Sequence, residues 1–190
     1  MAHSERVTGL SVSSTAKAEG EKPHFRLLTN SMARPENGEI QLADGQQARI
    51  SAGLAFMLAH SLENEPESLE EALSAVEFVI PVLEITAGNE TAFYVTGGRP
   101  LPAEKLDLRT LGIVMENNGS IVGMGAGAEV MGHPAQAIIE AYRHAASQGE
   151  SLTEGSLVLA AGITPEVDVA ARDNILGRYQ DMGSISIRFV

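Results

Sequence analysis

Cysteine is absent from the 190 residues, and so is tryptophan. The first absence excludes disulfides, thiolate metal sites and cysteine nucleophiles together. Basic charge is scarce: 13 Lys and Arg stand against 25 Asp and Glu, for a net charge of −12. A generic polyanion binder needs a positive face to neutralise phosphates, so nucleic acid is excluded as a partner. A local basic site for one small anionic ligand survives that argument. No apolar run reaches the roughly 18 residues a membrane helix requires, and Met1–Arg6 carries no basic-then-apolar leader. The expectation is a cytoplasmic protein with no membrane partner. Aromatic residues supply only 4% of the chain, but hydrophobic residues supply 44% and charged ones 20%, the balance of an ordinary globular protein. A chain of this length buries a sizeable core, so residues 1–190 are read as one domain.

What is present reads mostly as strands. Val7, Leu10 and Val12 place one near Arg6–Ser13, followed by an irregular polar stretch to Lys22. Phe25, Leu27 and Leu28 suggest a second strand closed by Asn30, and Arg34-Pro35-Glu36-Asn37-Gly38 is turn chemistry. Strands at Glu39–Leu42 and Ala48–Leu58 flank Asp44-Gly45, which reads as their hairpin turn. A helix is expected over Leu69–Val79: Ser68 and Glu71 have capping-box spacing, and Leu69, Leu73, Val76 and Ile80 fall at helical intervals. Pro81 is expected to end it, with Val82–Ile85 a buried strand and Ala92–Thr96 another. Leu111–Met115 and Ser120–Met124 flank Glu116-Asn117-Asn118-Gly119, a strong hairpin signal. Pro134 suits the opening of a helix over Ala135–Ser147, closed by Gly149. Leu157–Leu159 and the alternating Ile185, Ile187 and Phe189 read as late strands. The sum is a β-rich α+β domain with two helices and one continuous core.

Few groups stand out as chemical. Gly123-Met124-Gly125-Ala126-Gly127 has the glycine density of a phosphate-binding turn, but the strand before it belongs to a hairpin rather than a strand–helix–strand unit. Tight backbone packing is the preferred reading. The five histidines show no zinc-type pairing. His133 suits a helix start, and His144 suits a helix C-terminus, where the dipole favours a cation. His24 lies among Lys22, Pro23, Phe25 and Arg26, and is read either as a surface residue or as a site residue. The acids Glu63, Glu65, Glu67, Glu70 and Glu71 surround a helix start and read as a solvated face. Glu84 is different, being a lone carboxylate within the apolar run Val79–Ile85. Unless it is exposed at a strand end, it needs a metal, a cation or a proton.

The segments LEEALSAVEFVIPVLEI (Leu69–Ile85), LDLRTLGIVMENNGSIVGMGAGAEVMGHPAQAI (Leu106–Ile138), LTEGSLVLAAGITPEV (Leu152–Val167) and GSISIRFV (Gly183–Val190) occur in this order. Together they resemble the 2-hydroxypentadienoate (2-keto-4-pentenoate) hydratase and 4-oxalocrotonate decarboxylase family. The similarity runs from about Arg6 to Val190 and is most specific at Pro81–Ile85, Gly125–Pro134 and the last strand. It implies the fumarylacetoacetate hydrolase fold, a mixed β-roll with a few flanking helices. Typical members also carry an N-terminal helical segment that this sequence lacks, so the chain is expected to be N-terminally shortened.

The resemblance implies a Mg²⁺ or Mn²⁺ site built from a Glu-x-Glu pair and a third Glu, since hard cations want several oxygen ligands. The pair falls here at Ser51 and Gly53; only the third position, Glu84, keeps its carboxylate. The family's catalytic Lys falls at or near Arg6 after a one-residue shift, and Arg does not shuttle protons at working pH. Pro-Asp-Phe becomes Pro23-His24-Phe25, an Asp-Ser-Arg element after Ile85 is missing, Asn89 matches an asparagine beyond that gap, and a Thr-Gly becomes Ala160-Ala161. The expectation is therefore a lost metal site and no cofactor.

Three readings follow. The preferred one is a metal-independent lyase, isomerase or cyclase acting through an enol on a small 2-oxo acid. Glu84, His24 and Arg6 would be catalytic, with Arg26, Ser51 and Asn89 binding substrate. The second is an inactive paralogue that serves as a structural partner of an active enzyme. The chain is expected to form a homo-oligomer, or a hetero-oligomer with a paralogue. The third is an ordinary hydratase that retains Mg or Mn.

Overall fold

Short apolar runs rich in Val, Ile and Leu recur along this chain, and the structure, a computed structural model, is built mainly of strands. It describes residues 6–13, 22–42, 47–87 and 90–190. In chain order these form β1 (Val7–Ser13), β2 (His24–Thr29), β3 (Ala33–Arg34), β4 (Gly38–Ile40), β5 (Ala48–Leu58), α1 (Leu69–Ser74), β6 (Val76–Ala87) and β7 (Glu90–Thr96). Then follow β8 (Gly112–Asn117), β9 (Ser120–Ala126), α2 (Gln136–Ser147), β10 (Leu157–Ala161), β11 (Val167–Val169), β12 (Asn174–Tyr179) and β13 (Gly183–Phe189). The first sheet runs β2-β1-β10-β5-β6-β7-β3, with β11 also pairing β5, and the second runs β4-β13-β12-β8-β9. Pairs β1–β10, β3–β7 and β4–β13 are parallel and the others antiparallel, the mixed α+β architecture the resemblance implied.

Local chemistry explains most boundaries. Asn118 and Gly119 both take positive φ, 52° and 81°, and turn β8 tightly into β9. Of the glycines in β9 and the turn after it, Gly125 and Gly127 serve close approach, whereas a Cβ at Gly123 would meet only ordinary contacts. A Cβ at Gly125 would lie 1.9 Å from the Ile163 carbonyl oxygen, and one at Gly127 would lie 1.8 Å from that of Leu108. Ser68 caps α1 by accepting from the Glu71 N–H at 3.1 Å, while the Glu71 carboxylate accepts from the Glu67 N–H at 2.7 Å.

Three expectations need correction. The first helix stops at Ser74, because Val76 to Ala87 pairs along β5 as one long strand. Pro81 therefore lies inside a strand instead of ending a helix. Strand residues present N–H and C=O to the same side. The Pro81 carbonyl accepts from Gly97 N–H at 3.3 Å, so its missing donor faces the place where β7 ends, and no β5–β6 bond is lost. Second, Asp44-Gly45 lies outside the described residues, and the strands on either side do not form a hairpin: β4 joins β13 while β5 joins the other sheet. Third, the buried apolar residues form two clusters. The larger joins both sheets and both helices and includes the fully buried Phe56, Ile138, Ile187 and Phe189. The smaller comprises Leu28, Ala55, Val82, Tyr94 and Leu159 on the opposite face of the first sheet.

Candidate active site

Side chains alternate along a strand, and residues opposite one another in register share a face. Ser51 on β5, Glu84 on β6 and Tyr94 on β7 are aligned in this way. The face they share holds the smaller cluster, and register extends it through Gly53 to Ser11 and Ser13 of β1 and to His24 and Arg26 of β2. In a flat sheet β2 and β6 would stand four strand spacings apart, about 19 Å. The sheet curls instead. Arg26 Nη1 comes within 3.8 Å of Glu84 Oε2, with side chains 13% and 3% exposed, and donates to Ser13 Oγ at 3.2 Å. Across the same interior, Thr8 Oγ1 meets Tyr94 Oη at 3.3 Å. The cation that Glu84 needed from its sequence context is the Arg26 guanidinium.

The other sequence-predicted residues are distributed around this pair. Ser51 is buried and directly opposite Glu84 in register. His24 is exposed at the rim, opposite Ser13; its neighbour Phe25 faces the other way and stacks on His144 of α2, centroids 4.1 Å apart. Arg6 is exposed just ahead of β1, its backbone N–H donating to Asn30 Oδ1 at 3.0 Å. The one-residue shift in its alignment coincides with a register irregularity between Val7 and Gly9. Asn89 lies outside the described residues. Arg26, Ser51 and Glu84 are thus brought together, with His24 at the edge and Arg6 outside that group.

Sequence reasoning missed four residues here. Ser11 and Ser13 alternate with Leu10 and Val12, and the shared polar face this creates is their signal in the sequence. The Ser11 hydroxyl is fully buried and has no hydrogen-bond partner among the described residues. Tyr94 gave no signal beyond strand propensity. Tyr179, on the second sheet, donates its hydroxyl to the Val82 carbonyl at 2.6 Å. It thereby ties the second sheet to β6 two residues from Glu84. Burial pushes its phenol far above the usual tyrosine range.

The residues at the implied metal positions do not fit a divalent ion. Only Glu84 offers a carboxylate, and a guanidinium already faces it. At Gly53 even a Cβ would lie 2.4 Å from the Ala160 carbonyl oxygen, so this backbone leaves no room for a longer ligand. Among the described residues no three His, Asp or Glu side chains converge as a metal site. Elsewhere, Arg49 pairs with Glu166 at 2.8 Å and Thr86 donates to the same carboxylate at 3.2 Å. A cleft of about 350 Å³ lies beside the end of α2, lined by Leu10, Leu27, Ala145 and Leu152.

Comparison with known proteins identifies the family and the fold. The chain is 34% identical over 186 residues to a 4-oxalocrotonate decarboxylase of Pseudomonas putida, covering 90% of this chain and 70% of that protein. It is 28% identical over 185 residues to the 2-keto-4-pentenoate hydratase of Paraburkholderia xenovorans, covering 89% and 69%. The structure of the 4-oxalocrotonate decarboxylase from Pseudomonas putida G7, complexed with magnesium and adipate, superposes with a TM-score of 0.91 at 31% identity, covering 98% of this chain and 79% of that one. A fumarylacetoacetate hydrolase from Exiguobacterium antarcticum shares the fold, with a TM-score of 0.78 at 15% identity over 97% of this chain and 75% of its own. No family-level sequence profile matches the chain. On this evidence the chain belongs to the 4-oxalocrotonate decarboxylase and 2-keto-4-pentenoate hydratase family, on the fumarylacetoacetate hydrolase fold.

Proposed function

We propose that the chain is an enzyme that acts through an enol on a small 2-oxo acid without a divalent metal, as an isomerase, cyclase or lyase. The observation that carries this reading is Glu84, a single buried carboxylate held by Arg26 where the family pattern calls for three carboxylates. Isolated from bulk water, the Glu84 carboxylate is placed to take or return the proton on the carbon next to the oxo group. Arg26 presents a planar set of N–H donors suited to a carboxylate. Ser51 lies beside Glu84 to orient a ligand oxygen. His24, exposed at the rim, is placed to exchange protons with solvent. Arg6 remains a proposed catalytic group and Asn89 a proposed substrate contact. The test is turnover of 4-oxalocrotonate and 2-keto-4-pentenoate by Glu84→Gln and His24→Ala. We expect a loss of about 10²-fold or more in kcat for the first and about 10-fold or more for the second. Undiminished turnover in both variants removes this reading.

One observation favours the second reading, a non-catalytic partner. The edge strand β9 carries no charge and leaves Ile121, Val122 and Met124 exposed at 59%, 37% and 62%. Uncharged apolar edges are surfaces on which another chain can pair. Co-purification of an active paralogue from the native host supports that role, and a homo-oligomer with its own turnover argues against it.

A further inference from the structure

We infer that the Arg26 guanidinium is the resident cation of this site, standing where the family pattern calls for a divalent ion. Its ligand is the carboxylate or enolate end of a 2-oxo acid, with the Ser11 hydroxyl as a second donor. The inference deepens the metal-free reading above and rests on it. Three observations carry it. The first is the contact across the interior of the roll, 3.8 Å between Arg26 Nη1 and the one carboxylate left from the implied ligand set. The second is the exclusion of a side chain at Gly53 by the Ala160 carbonyl oxygen, 2.4 Å from where a Cβ would stand. The third is the Ser11 hydroxyl, in register with Arg26, fully buried and lacking a hydrogen-bond partner among the described residues. Buried hydroxyls without partners are rare in native proteins, and a ligand oxygen is a chemical reason for one.

A guanidinium and a divalent ion do related work by different means. Both place positive charge beside the two oxygens of a 2-oxo acid, and both favour the enolate over the ketone because the enolate carries more charge on those oxygens. The guanidinium does so through a planar fork of N–H donors that needs no coordination shell. Glu84 fixes the fork's position, and Ser13 Oγ, 3.2 Å from Nη1, fixes its tilt. Arg26 is thus assigned to substrate binding and electrostatic stabilisation, and the proton transfers stay with Glu84 and His24.

The test is calorimetric titration of the EDTA-treated full chain with oxalate, a stable planar mimic of an enolised 2-oxo acid. We expect oxalate to bind in EDTA, with affinity unchanged by added Mn²⁺. Arg26→Gln combined with Glu84→Gln removes both charges, so no unpaired buried charge unsettles the fold, and it should weaken oxalate by at least about 10-fold. Arg26→Lys should retain part of the affinity, and Ser11→Ala should lose several-fold; circular dichroism verifies folding of each variant. The inference is overturned if oxalate fails to bind in EDTA, if binding returns only with Mn²⁺, or if the double variant binds undiminished. Arg26-dependent oxalate binding by a chain that turns over no 2-oxo acid would sustain this inference while removing the proposed catalytic function.

Discussion

Partial burial lowers the pKa of His133 below its ordinary value, with the nearby Asp107 carboxylate opposing part of that shift. Its Nδ1 accepts the Ala135 N–H at 3.2 Å, a bond that needs the unprotonated nitrogen. As pH falls through about 6.5, the unfolded chain takes up the proton before the folded one does, so stability declines on the acid side. His133→Asn, which keeps an acceptor, should show a smaller drop in Tm between pH 7 and pH 5.5 than the parent. An equal drop in both would assign the acid sensitivity to other groups. The helix-start role of this residue was legible because it precedes Pro134. The pairing of Glu84 was legible only in part: an isolated carboxylate in an apolar run announces a need, but the run does not contain the group that meets it.

Strands carried the clearest sequence signals wherever a turn or alternation bounded them. The hairpin β8–β9 follows from Asn118-Gly119, and β13 from alternating Ile185, Ile187 and Phe189. The boundary between α1 and β6 was misplaced because Leu69, Leu73, Val76 and Ile80 satisfy a helical period, whereas a central strand buried on both faces has no period to contradict it. Pairing with β5 from Val76 onward decided the outcome. The short strands β3 and β11, and β12 with its central Gly177, were not read from sequence at all. The tie from β12 to β6 is testable. Tyr179→Phe removes the buried hydroxyl that donates to the Val82 carbonyl at 2.6 Å, while that carbonyl keeps its place opposite Gly53 in the β5–β6 ladder. We expect a loss of about 0.5–1.5 kcal/mol in urea unfolding with the m-value unchanged. We further expect the loss to vanish at high pH. The folded state holds the phenol protonated while the unfolded chain ionises above about pH 10, so the tyrosine itself destabilises the parent as pH rises there. A neutral effect at pH 7 would mean the contact contributes nothing.

At the scale of the molecule, curvature of the first sheet creates the site. It brings β2 against the interior beside β6, and it places Leu28 and Tyr94 in one buried cluster. The Arg26–Glu84 pair is therefore also a measure of roll closure. Arg26→Met alone, or Glu84→Leu alone, leaves one buried charge without its partner and should cost about 3–5 kcal/mol. The two changes together should cost far less than the sum, because an apolar pair then fills the same space. Additive losses in urea unfolding would show that the two side chains do not meet across the roll.

Composition, turn chemistry and the ordered motifs from Leu69 to Val190 determined the family, the mixed α+β fold and the isolation of Glu84 as a lone carboxylate in an apolar run. Those features are local, or are carried by residue identity in order, and a linear reading contains them. The partner of Glu84, the lack of room at Gly53 and the buried Ser11 hydroxyl depended on which strands the closing roll brings face to face. Arg26 and Glu84 are far apart in sequence and four strands apart in the sheet. Only the curl of that sheet, set by twist and by packing of the cluster within it, brings opposite charges together out of water.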